Sequence, residues 1–451
     1  MPFFESIATR IWNGLFRHQS AEGLNLGHWV RNSQTTKQKI SIPHFKRPEH
    51  IAILGKTGTG KSSLLRHMMS QDISSGRGFL CIDLHGDLTP FVVSAIAEKE
   101  RRIKTDLSSR LLLIDPSDPE DAVGLNLIEC DSKESRPVQI SEMVGLLRQR
   151  WSLDHFGART EELLRNAFWV LSENHLTLLE VSPLLTNRDY RSALLRKVSN
   201  QEVKRFFEER YDVASPAMQA VMREAVLNKL GAFTVDPAIR HIVGQTQSSF
   251  SLRAAIDQGM FVCLNLRKGR LGENALIFAA LFLAKLKAAI FSRQTRNLFT
   301  LYADELPNLV SVDGTFETLL SEARKFSVSV VTANQFLNQF SPAMKSALLS
   351  VGNCLSFKPS SEDAPTIARA LDGEGALARR LTLLEHRHLI CKFGEGVCEV
   401  LVPSIPKPQA AFSSLIQRSM AKYGKRREEI EDDINARRPN TKTQNTLDEW
   451  E

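Results

Sequence analysis

A glycine-rich segment that begins at Gly55 carries the strongest chemical signal in this sequence. Residues 55–62 read GKTGTGKS and fit the pattern GxxxxGK[ST] at every fixed position. Glycines let successive backbone N–H groups curl around phosphate oxygens, and a helix that starts at Lys61 adds a favourable partial positive charge. We therefore expect ATP and Mg²⁺ as ligands, with Lys61 reaching the β- and γ-phosphates and the Ser62 hydroxyl ligating Mg²⁺. The predicted nucleotide-binding residues are Gly55, Lys56, Thr57, Gly58, Thr59, Gly60, Lys61, Ser62 and Ser63.

An apolar strand that ends in two carboxylates supplies the acidic partner that a phosphate-binding loop (P-loop) of this kind needs. Residues 298–305 read LFTLYADE, so that Asp304 and Glu305 follow directly on a buried run. We expect Asp304 to hold Mg²⁺ and Glu305 to orient and polarise the water that attacks the γ-phosphate.

A second strand with an acidic end competes for this role. Residues 81–87 read CIDLHGD, and the run ends at Asp83, closer in sequence to the P-loop. We favour Asp304 and Glu305 as the magnesium and water pair. Asp83, His85 and Asp87 could form a metal site, although we favour a structured turn at the sheet edge near the nucleotide.

The order of apolar segments predicts the fold class. Strands alternate with helices on both sides of a stretch in which Leu, Phe and Trp recur at helical spacing. This pattern indicates an α/β protein with a mostly parallel sheet and an inserted all-α subdomain. We expect an N-terminal adaptor over 1–49, a nucleotide-binding core over 50–130 and 233–408, an all-α insert over 131–232, and a C-terminal helix with a mixed-charge, disordered-looking tail over 409–451.

Composition excludes several classes of protein. The chain has 451 residues, 42% of them hydrophobic, which excludes a wholly disordered or fibrous protein. The net charge of +7 permits a polyanionic partner such as DNA without requiring one. The longest apolar run, 275–284, is too short to span a membrane and predicts a buried helix. Six cysteines without a CxxC pair favour a reduced, cytoplasmic protein.

Five segments follow one another along this sequence: HIAILGKTGTGKSSLL, FLCIDLHGDL, FVCLNLRKGRLGEN, LYADELPNL and SEARKFSVSVVTANQFLNQ. In this order they resemble the conjugative coupling-protein ATPases of type IV secretion, the TraG and TraD type within the HerA–FtsK superfamily. The resemblance extends over about residues 45–405 and includes the insert. Membrane-anchored members begin with transmembrane helices that this sequence does not show. We therefore expect a cytoplasmic protein that is either a soluble variant of the family or peripheral at the inner membrane through a separate partner.

The resemblance implies a RecA-like P-loop ATPase core that assembles as a hexameric ring and moves DNA through its channel. It implies that Gln335 is the polar sensor of the γ-phosphate and that Arg324 enters the neighbouring subunit's site. Judged by residue type alone, Gln335 is also suited to a helix start and Arg324 to a solvated helix end. The basic loop Arg267, Lys268 and Arg270 faces either a neighbour's nucleotide or DNA.

Three functions remain open at this point. The first is an ATP-driven DNA translocase of conjugative or type IV secretion-like transfer, with DNA, a relaxase and secretion-channel proteins as partners. The second is a HerA-type helicase or translocase that works with a nuclease in DNA repair or phage defence. The third is an ATP-gated scaffold that recruits DNA or protein, and DNA-stimulated ATP turnover separates both motors from it.

Overall fold

A computed structural model describes residues 23–130, 132–150, 157–305, 314–393, 396–406 and 408–439. The start of the predicted adaptor, 1–22, and the end of the predicted tail, 440–451, lie outside these described residues. The chain divides into two compact units, each made of two segments. The α/β unit comprises Met1–Ser117 and Ser251–Lys422, and the helical unit comprises Asp118–Phe250 and Tyr423–Glu451.

The described strands, in chain order, are β1 Gly23–Arg31, β2 Gln34–Pro43, β3 Ile51–Leu54, β4 Phe79–Asp83, β5 Leu111–Ile114, β6 Asp121–Val123, β7 Phe261–Asn265, β8 Phe299–Asp304, β9 Val328–Asn334, β10 Asn353–Ser356, β11 His388–Phe393, β12 Gly396–Leu401 and β13 Gly424–Arg426. One sheet forms the centre of the α/β unit, with the strand order β2-β1-β12-β11-β10-β3-β9-β8-β4-β7-β5. Every neighbouring pair from β10 to β5 is parallel, and the pairs from β2 to β10 are antiparallel. The predicted α/β fold with a mostly parallel sheet is confirmed.

Helices connect the strands of the α/β unit, as parallel pairing requires. The longest, Glu273–Phe291, is the only described helix whose length and composition would suffice to span a membrane. Twelve of its residues are buried, and core helices share this composition, so the predicted buried helix is confirmed. The α-helices of this unit are Lys61–Ser75, Thr89–Ile103, Leu252–Asp257, Lys268–Leu271, Glu273–Phe291, Thr315–Glu322, Pro342–Leu349, Ala364–Ala370, Gly375–Thr382 and Ser413–Tyr423, with 3₁₀ turns at His44–Glu49, Ser108–Arg110, Ala323–Phe326 and Leu337–Gln339.

The segment predicted as an adaptor over 1–49 contains two strands of the main sheet. Strands β1 and β2 form a hairpin whose turn residues, Asn32 and Ser33, both have positive φ. In β2 only Ile40 and Ile42 are buried, while most of the strand is polar and exposed, which hides the alternation that identifies a strand. Strand β1 then pairs with β12, a partner far away in the sequence.

The helical unit extends beyond the predicted insert over 131–232. Its interior is lined by Leu163, Leu164, Phe168 and Leu171 of one long helix, all fully buried. Short strands β6 and β13, which lie outside the predicted insert, pair with each other within this unit. The helices are Arg136–Arg150, Gly157–Glu173, Val181–Thr186, Arg188–Leu195, Gln201–Arg205, Pro216–Val235, Pro237–Val243 and Arg427–Ala436, with a π-helical turn at Phe206–Tyr211 and a 3₁₀ turn at Leu178–Glu180.

The end of the chain is divided between the two units. Within the helical unit, Glu431 accepts two hydrogen bonds of 3.0 Å from Arg240, and Arg437 donates to Glu180 at 3.0 Å. The segment from β13 onward therefore packs as part of the helical unit. Several of the mixed charges that indicate a solvated tail form ion pairs within this unit, namely those of Lys425, Arg426, Glu431, Asp433 and Arg437.

A buried arginine ties three elements of the α/β unit together. The Arg47 guanidinium is completely buried and donates to both Asp72 oxygens at 2.7 and 2.6 Å. It also donates to the Thr300 hydroxyl at 2.8 Å, while the Tyr302 hydroxyl donates to Asp72 at 2.7 Å. The cluster joins the turn before β3, the helix after the P-loop and strand β8. It therefore fixes β8 relative to the P-loop helix.

We expect Asp72→Asn to destabilise the α/β unit by about 3–5 kcal/mol, because the substitution leaves a buried guanidinium without its counter-charge. The measurement is the urea unfolding midpoint, followed by circular dichroism. Asp433→Asn is the matched control, since Asp433 pairs with Lys425 on the surface with an exposed side chain, and we expect its effect to stay within about 0.5 kcal/mol. Equal midpoints for the two variants would contradict this account of the cluster.

Candidate nucleotide site

The carboxyl ends of neighbouring parallel strands meet at one edge of the sheet. Strand β9 lies between β3, which leads into the P-loop, and β8, which ends in Asp304. The register pairs Leu54 with Asn334 and Asp304 with Ala333. Because the three strands are parallel and in step, the P-loop, Gln335 after β9 and Glu305 after β8 emerge side by side.

Two glycines give the P-loop backbone a conformation that other residues rarely adopt. Gly55 and Gly60 have φ of +152° and +121°, values that side-chain-bearing residues rarely adopt. A Cβ atom on Gly60 would also lie 3.0 Å from the Arg387 Cα and from the Phe357 ring. Helix Lys61–Ser75 starts directly after this turn, and the N–H groups of its first turn have no carbonyl partners within the helix. They form the kind of donor set that binds phosphate oxygens.

The Lys61 side chain is buried in this loop. Its amine donates to the carbonyl oxygens of Gly55 and Lys56 at 2.7 and 2.9 Å. Burial lowers the pKa of Lys61, and the nearby charges of Asp304 and Glu305 oppose that shift. The amine thus sits in the loop that the sequence predicts to surround the phosphates, with negative charge on the other side of the pocket.

Asp304 and Glu305 stand opposite the P-loop. Burial and the neighbouring Glu305 charge raise the pKa of Asp304 to about 6, while the Lys61 charge opposes the shift. A cation bound beside Asp304 would offset the cost of burying its negative charge next to Glu305. Glu305 adopts the left-handed conformation with φ of +55°, and its N–H donates to the Ala333 carbonyl at 3.0 Å.

A chain of hydrogen bonds runs across the mouth of the site. The Thr57 hydroxyl donates to Gln335 Oε1 at 3.0 Å, and Gln335 Nε2 donates to Glu305 Oε1 at 2.8 Å. The other carboxylate oxygen of Glu305 lies 2.7 Å from His85 Nε2. The pocket has a volume of about 250 Å³. Its lining residues are Thr57, Gly58, Gly60, Lys61, Ser62, Ser63, His85, Asp87, Asp304, Glu305, Gln335 and His386.

Asp83, at the end of the competing strand, forms hydrogen bonds within its own turn. The Asp83 side chain accepts hydrogen bonds from the N–H groups of Gly86, Leu88 and Thr89 at 2.7–3.0 Å, and from the Thr89 hydroxyl at 2.8 Å. It is buried and does not line the pocket. These contacts agree with the structured turn favoured for Asp83, His85 and Asp87. Among the residues that the structure describes, no group of three His, Cys, Asp or Glu side chains could hold a metal ion.

The sequence of this chain matches one protein family over more than half of its length. The family is described as the type IV secretion-system coupling protein DNA-binding domain, and the match extends over residues 34–354. This chain belongs to that family. A comparison with curated protein sequences gave no match.

Solved structures share the fold of this coupling protein. The unbound bacterial conjugative coupling protein TrwBdeltaN70 is 16% identical, with 88% of this chain and 93% of that chain covered and a TM-score of 0.56. VirB4 of Thermoanaerobacter pseudethanolicus is 15% identical, with 86% and 98% covered and a TM-score of 0.56. At these identities the likeness shows the fold, and it confirms the predicted RecA-like P-loop ATPase core. The family places this chain among the coupling proteins of type IV secretion systems.

Arg324 of the coupling protein lies away from the pocket of its own chain. It belongs to the turn Ala323–Phe326 that precedes β9, so it stands at the amino end of a strand whose carboxyl end meets the site. Its side chain is 66% exposed and lies 3.4 Å from Glu49. This placement keeps the Arg324 guanidinium out of the nucleotide pocket of its own chain.

The basic loop after β7 lies further along the same sheet edge. Arg267 has a left-handed conformation and lies 3.6 Å from Asp115, and Arg270 donates to the Ser117 carbonyl at 3.1 Å. The loop does not line the nucleotide pocket of its own chain. A neighbour's nucleotide and DNA both remain as its predicted ligands.

The sequence carries no signal for one residue of the site. His386 lines the pocket, and the N–H of the adjacent Arg387 donates to the Thr59 carbonyl at 2.9 Å. No motif marks this loop between helix Gly375–Thr382 and β11, so its position follows from the sheet order alone. For His85 the sequence indicates only a metal-like spacing, because its contact with Glu305 depends on the pairing of β4 with β8.

We expect Glu305→Gln to bind ATP but to hydrolyse it about 100-fold more slowly or worse, because the amide polarises water poorly. Asp83→Asn should instead lower the thermal midpoint, because the hydrogen bonds of the turn are lost. It should keep most of the ATP turnover per folded protein. The measurements are steady-state ATP hydrolysis and the thermal midpoint of each variant. Slow hydrolysis in Asp83→Asn with normal rates in Glu305→Gln would mean that β4 carries the chemistry.

Proposed function

We propose that this coupling protein hydrolyses ATP to move DNA through a ring of its own copies, in conjugative or related type IV transfer. One observation carries the proposal: in a chain of a coupling-protein family, the Lys61 amine, the two carboxylates at the carboxyl end of β8 and the Gln335 amide line one pocket. The proposed place of action is the cytoplasm, at the inner membrane through a partner.

The residues of the pocket fit a nucleoside triphosphate with Mg²⁺. The turn of Gly55–Gly60 leaves room for phosphates, and the buried Lys61 amine would exchange its carbonyl partners for phosphate oxygens, which are stronger acceptors. Ser62 and Asp304 would hold Mg²⁺, which when bound neutralises charge on the β- and γ-phosphates. In support, TrwB has been solved in complex with ADP and Mg²⁺ and with the non-hydrolysable ATP analogue ADPNP.

Glu305 supplies the base in this scheme. Its carboxylate accepts a hydrogen bond from the attacking water and takes the proton as the water oxygen bonds to the γ-phosphorus. The bond from that phosphorus to the ADP oxygen breaks, which leaves ADP and phosphate. Gln335 already links the P-loop hydroxyl of Thr57 to Glu305. Loss of the γ-phosphate would therefore change hydrogen bonds at both the P-loop and the end of β8.

Arg324 completes the site from a neighbouring subunit in this proposal. A guanidinium near the γ-phosphate stabilises the charge of the transition state. Because Arg324 is exposed and lies at the amino end of β9, only another copy can bring it to a pocket at the carboxyl ends. A closed ring, with a hexamer as the predicted size, gives each pocket one such neighbour.

We expect DNA to stimulate ATP turnover by the wild-type protein, since a motor couples hydrolysis to its track. The measurement is phosphate release with and without single- and double-stranded DNA, with oligomer size determined in the same buffer by light scattering. Lys61→Ala should abolish turnover under every condition, and the exposed Lys37→Ala is the matched control. If an assembled ring hydrolyses ATP at the same rate with and without DNA, the ATP-gated scaffold is favoured. Wild-type rates of hydrolysis in Lys61→Ala would contradict the assignment of the nucleotide site.

We expect Arg324→Ala to lower turnover by about 1,000-fold while nucleotide affinity is largely kept, because the finger acts on the transition state. Mixing Arg324→Ala with Lys61→Ala should restore part of the activity, since a Lys61→Ala subunit still offers Arg324 to an intact pocket. Arg205→Ala, on an exposed ion pair, is the matched control. Mixtures no more active than their components would argue against a finger acting between subunits.

A further inference from the structure

The contact of His85 with Glu305 has no part in the scheme above. His85 Nε2 lies 2.7 Å from Glu305 Oε2, while Gln335 holds Glu305 Oε1. An ionised carboxylate only accepts hydrogen bonds, so the proton of the His85 contact belongs to the imidazole. Two donors from two different strands thus hold the two oxygens of one carboxylate.

The loop that carries His85 is firmly attached to the sheet. Asp83 accepts three N–H groups of residues 86–89. On the other side, the Lys268 N–H donates to the Leu84 carbonyl at 2.7 Å and the Leu266 N–H donates to the Asp83 carbonyl at 2.9 Å. The backbone on both sides of His85 therefore has a fixed position relative to β4 and β7.

The second donor to Glu305 also contacts the phosphate-binding loop. Gln335 accepts a hydrogen bond from the Thr57 hydroxyl in the P-loop, so it lies beside the position proposed for the γ-phosphate. If the Gln335 amide donated to a γ-phosphate oxygen instead of Glu305 Oε1, Oε1 would face the attacking water. His85 would still donate to Oε2.

A fixed donor matters for Glu305 because its side chain is about a quarter exposed. A glutamate has three rotatable bonds, and their freedom must be restricted before the carboxylate keeps one orientation. Orientation of a reacting group is a large part of the rate enhancement that an enzyme supplies.

We propose that His85 is a positioning residue: its Nε2–H holds Glu305 Oε2 so that Oε1 faces the water that attacks the γ-phosphate. The inference rests on the proposed role of Glu305 in ATP hydrolysis. The positioning role of His85 also accounts for the segment of Asp83, His85 and Asp87. Asp83 stabilises the turn, and His85 extends from the turn to Glu305 after the neighbouring strand. It also makes β4 a functional neighbour of β8.

The test compares kcat and KM for ATP, and the Kd of a fluorescent ATP analogue, in His85→Asn, His85→Gln and His85→Ala. We expect His85→Ala and His85→Asn to lower kcat about 10- to 100-fold at unchanged Kd, because neither places a donor at Glu305. His85→Gln should keep most of kcat, because its terminal N–H reaches about as far as Nε2. His28→Ala, on β1, is the matched control.

Several results would overturn the inference. Turnover in His85→Ala at or above the wild-type rate would mean that His85 is idle or restrains Glu305. A His85→Gln variant as slow as His85→Asn would mean that the ring and not its N–H matters. Adding His85→Ala to Glu305→Gln should slow it no further, and a further loss would place His85 outside this pathway. Wild-type turnover in Glu305→Gln alone would instead refute the proposed function.

Discussion

The parallel ladder of β3, β9, β8 and β4 is the constraint on which the site depends. Strand β9 pairs with β3 on one side and β8 on the other, in a register that aligns their carboxyl ends. Each strand contributes one chemical group just past its end: the P-loop, Gln335, the pair Asp304 and Glu305, and the turn of His85. A shift of one strand by one residue would turn its side chains to the opposite face and dismantle the pocket.

Buried contacts in the surrounding fold hold these strands in place. Arg47, Asp72 and Tyr302 form a buried ionic cluster between the helix that follows the P-loop and strand β8. A buried guanidinium demands a fixed partner, so the distance between the P-loop helix and β8 cannot vary freely. The Asp83 carboxylate accepts hydrogen bonds within its own turn and does not line the pocket.

Local chemistry explains what the sequence could predict. The glycines and Lys61 define the P-loop within eight residues, and buried strands such as β8 are read from their apolar runs. Pairing across long distances explains what it could not predict. The polar, exposed strand β2 and the pairing of β6 with β13 depend on partners that no local pattern names. The contacts of His85, Arg47 and His386 arise for the same reason, because each joins segments that only the sheet order brings together.

The central claim is that one pocket, between the P-loop and the end of β8, hydrolyses ATP. A structure with Mg²⁺ and a non-hydrolysable ATP analogue tests it most directly. The account predicts the phosphates on residues 55–63, the Lys61 amine moved from its loop carbonyls to phosphate oxygens, and Glu305 facing the γ-phosphate with His85 still bonded. A triphosphate bound elsewhere, or a γ-phosphate directed at Asp83, would contradict it.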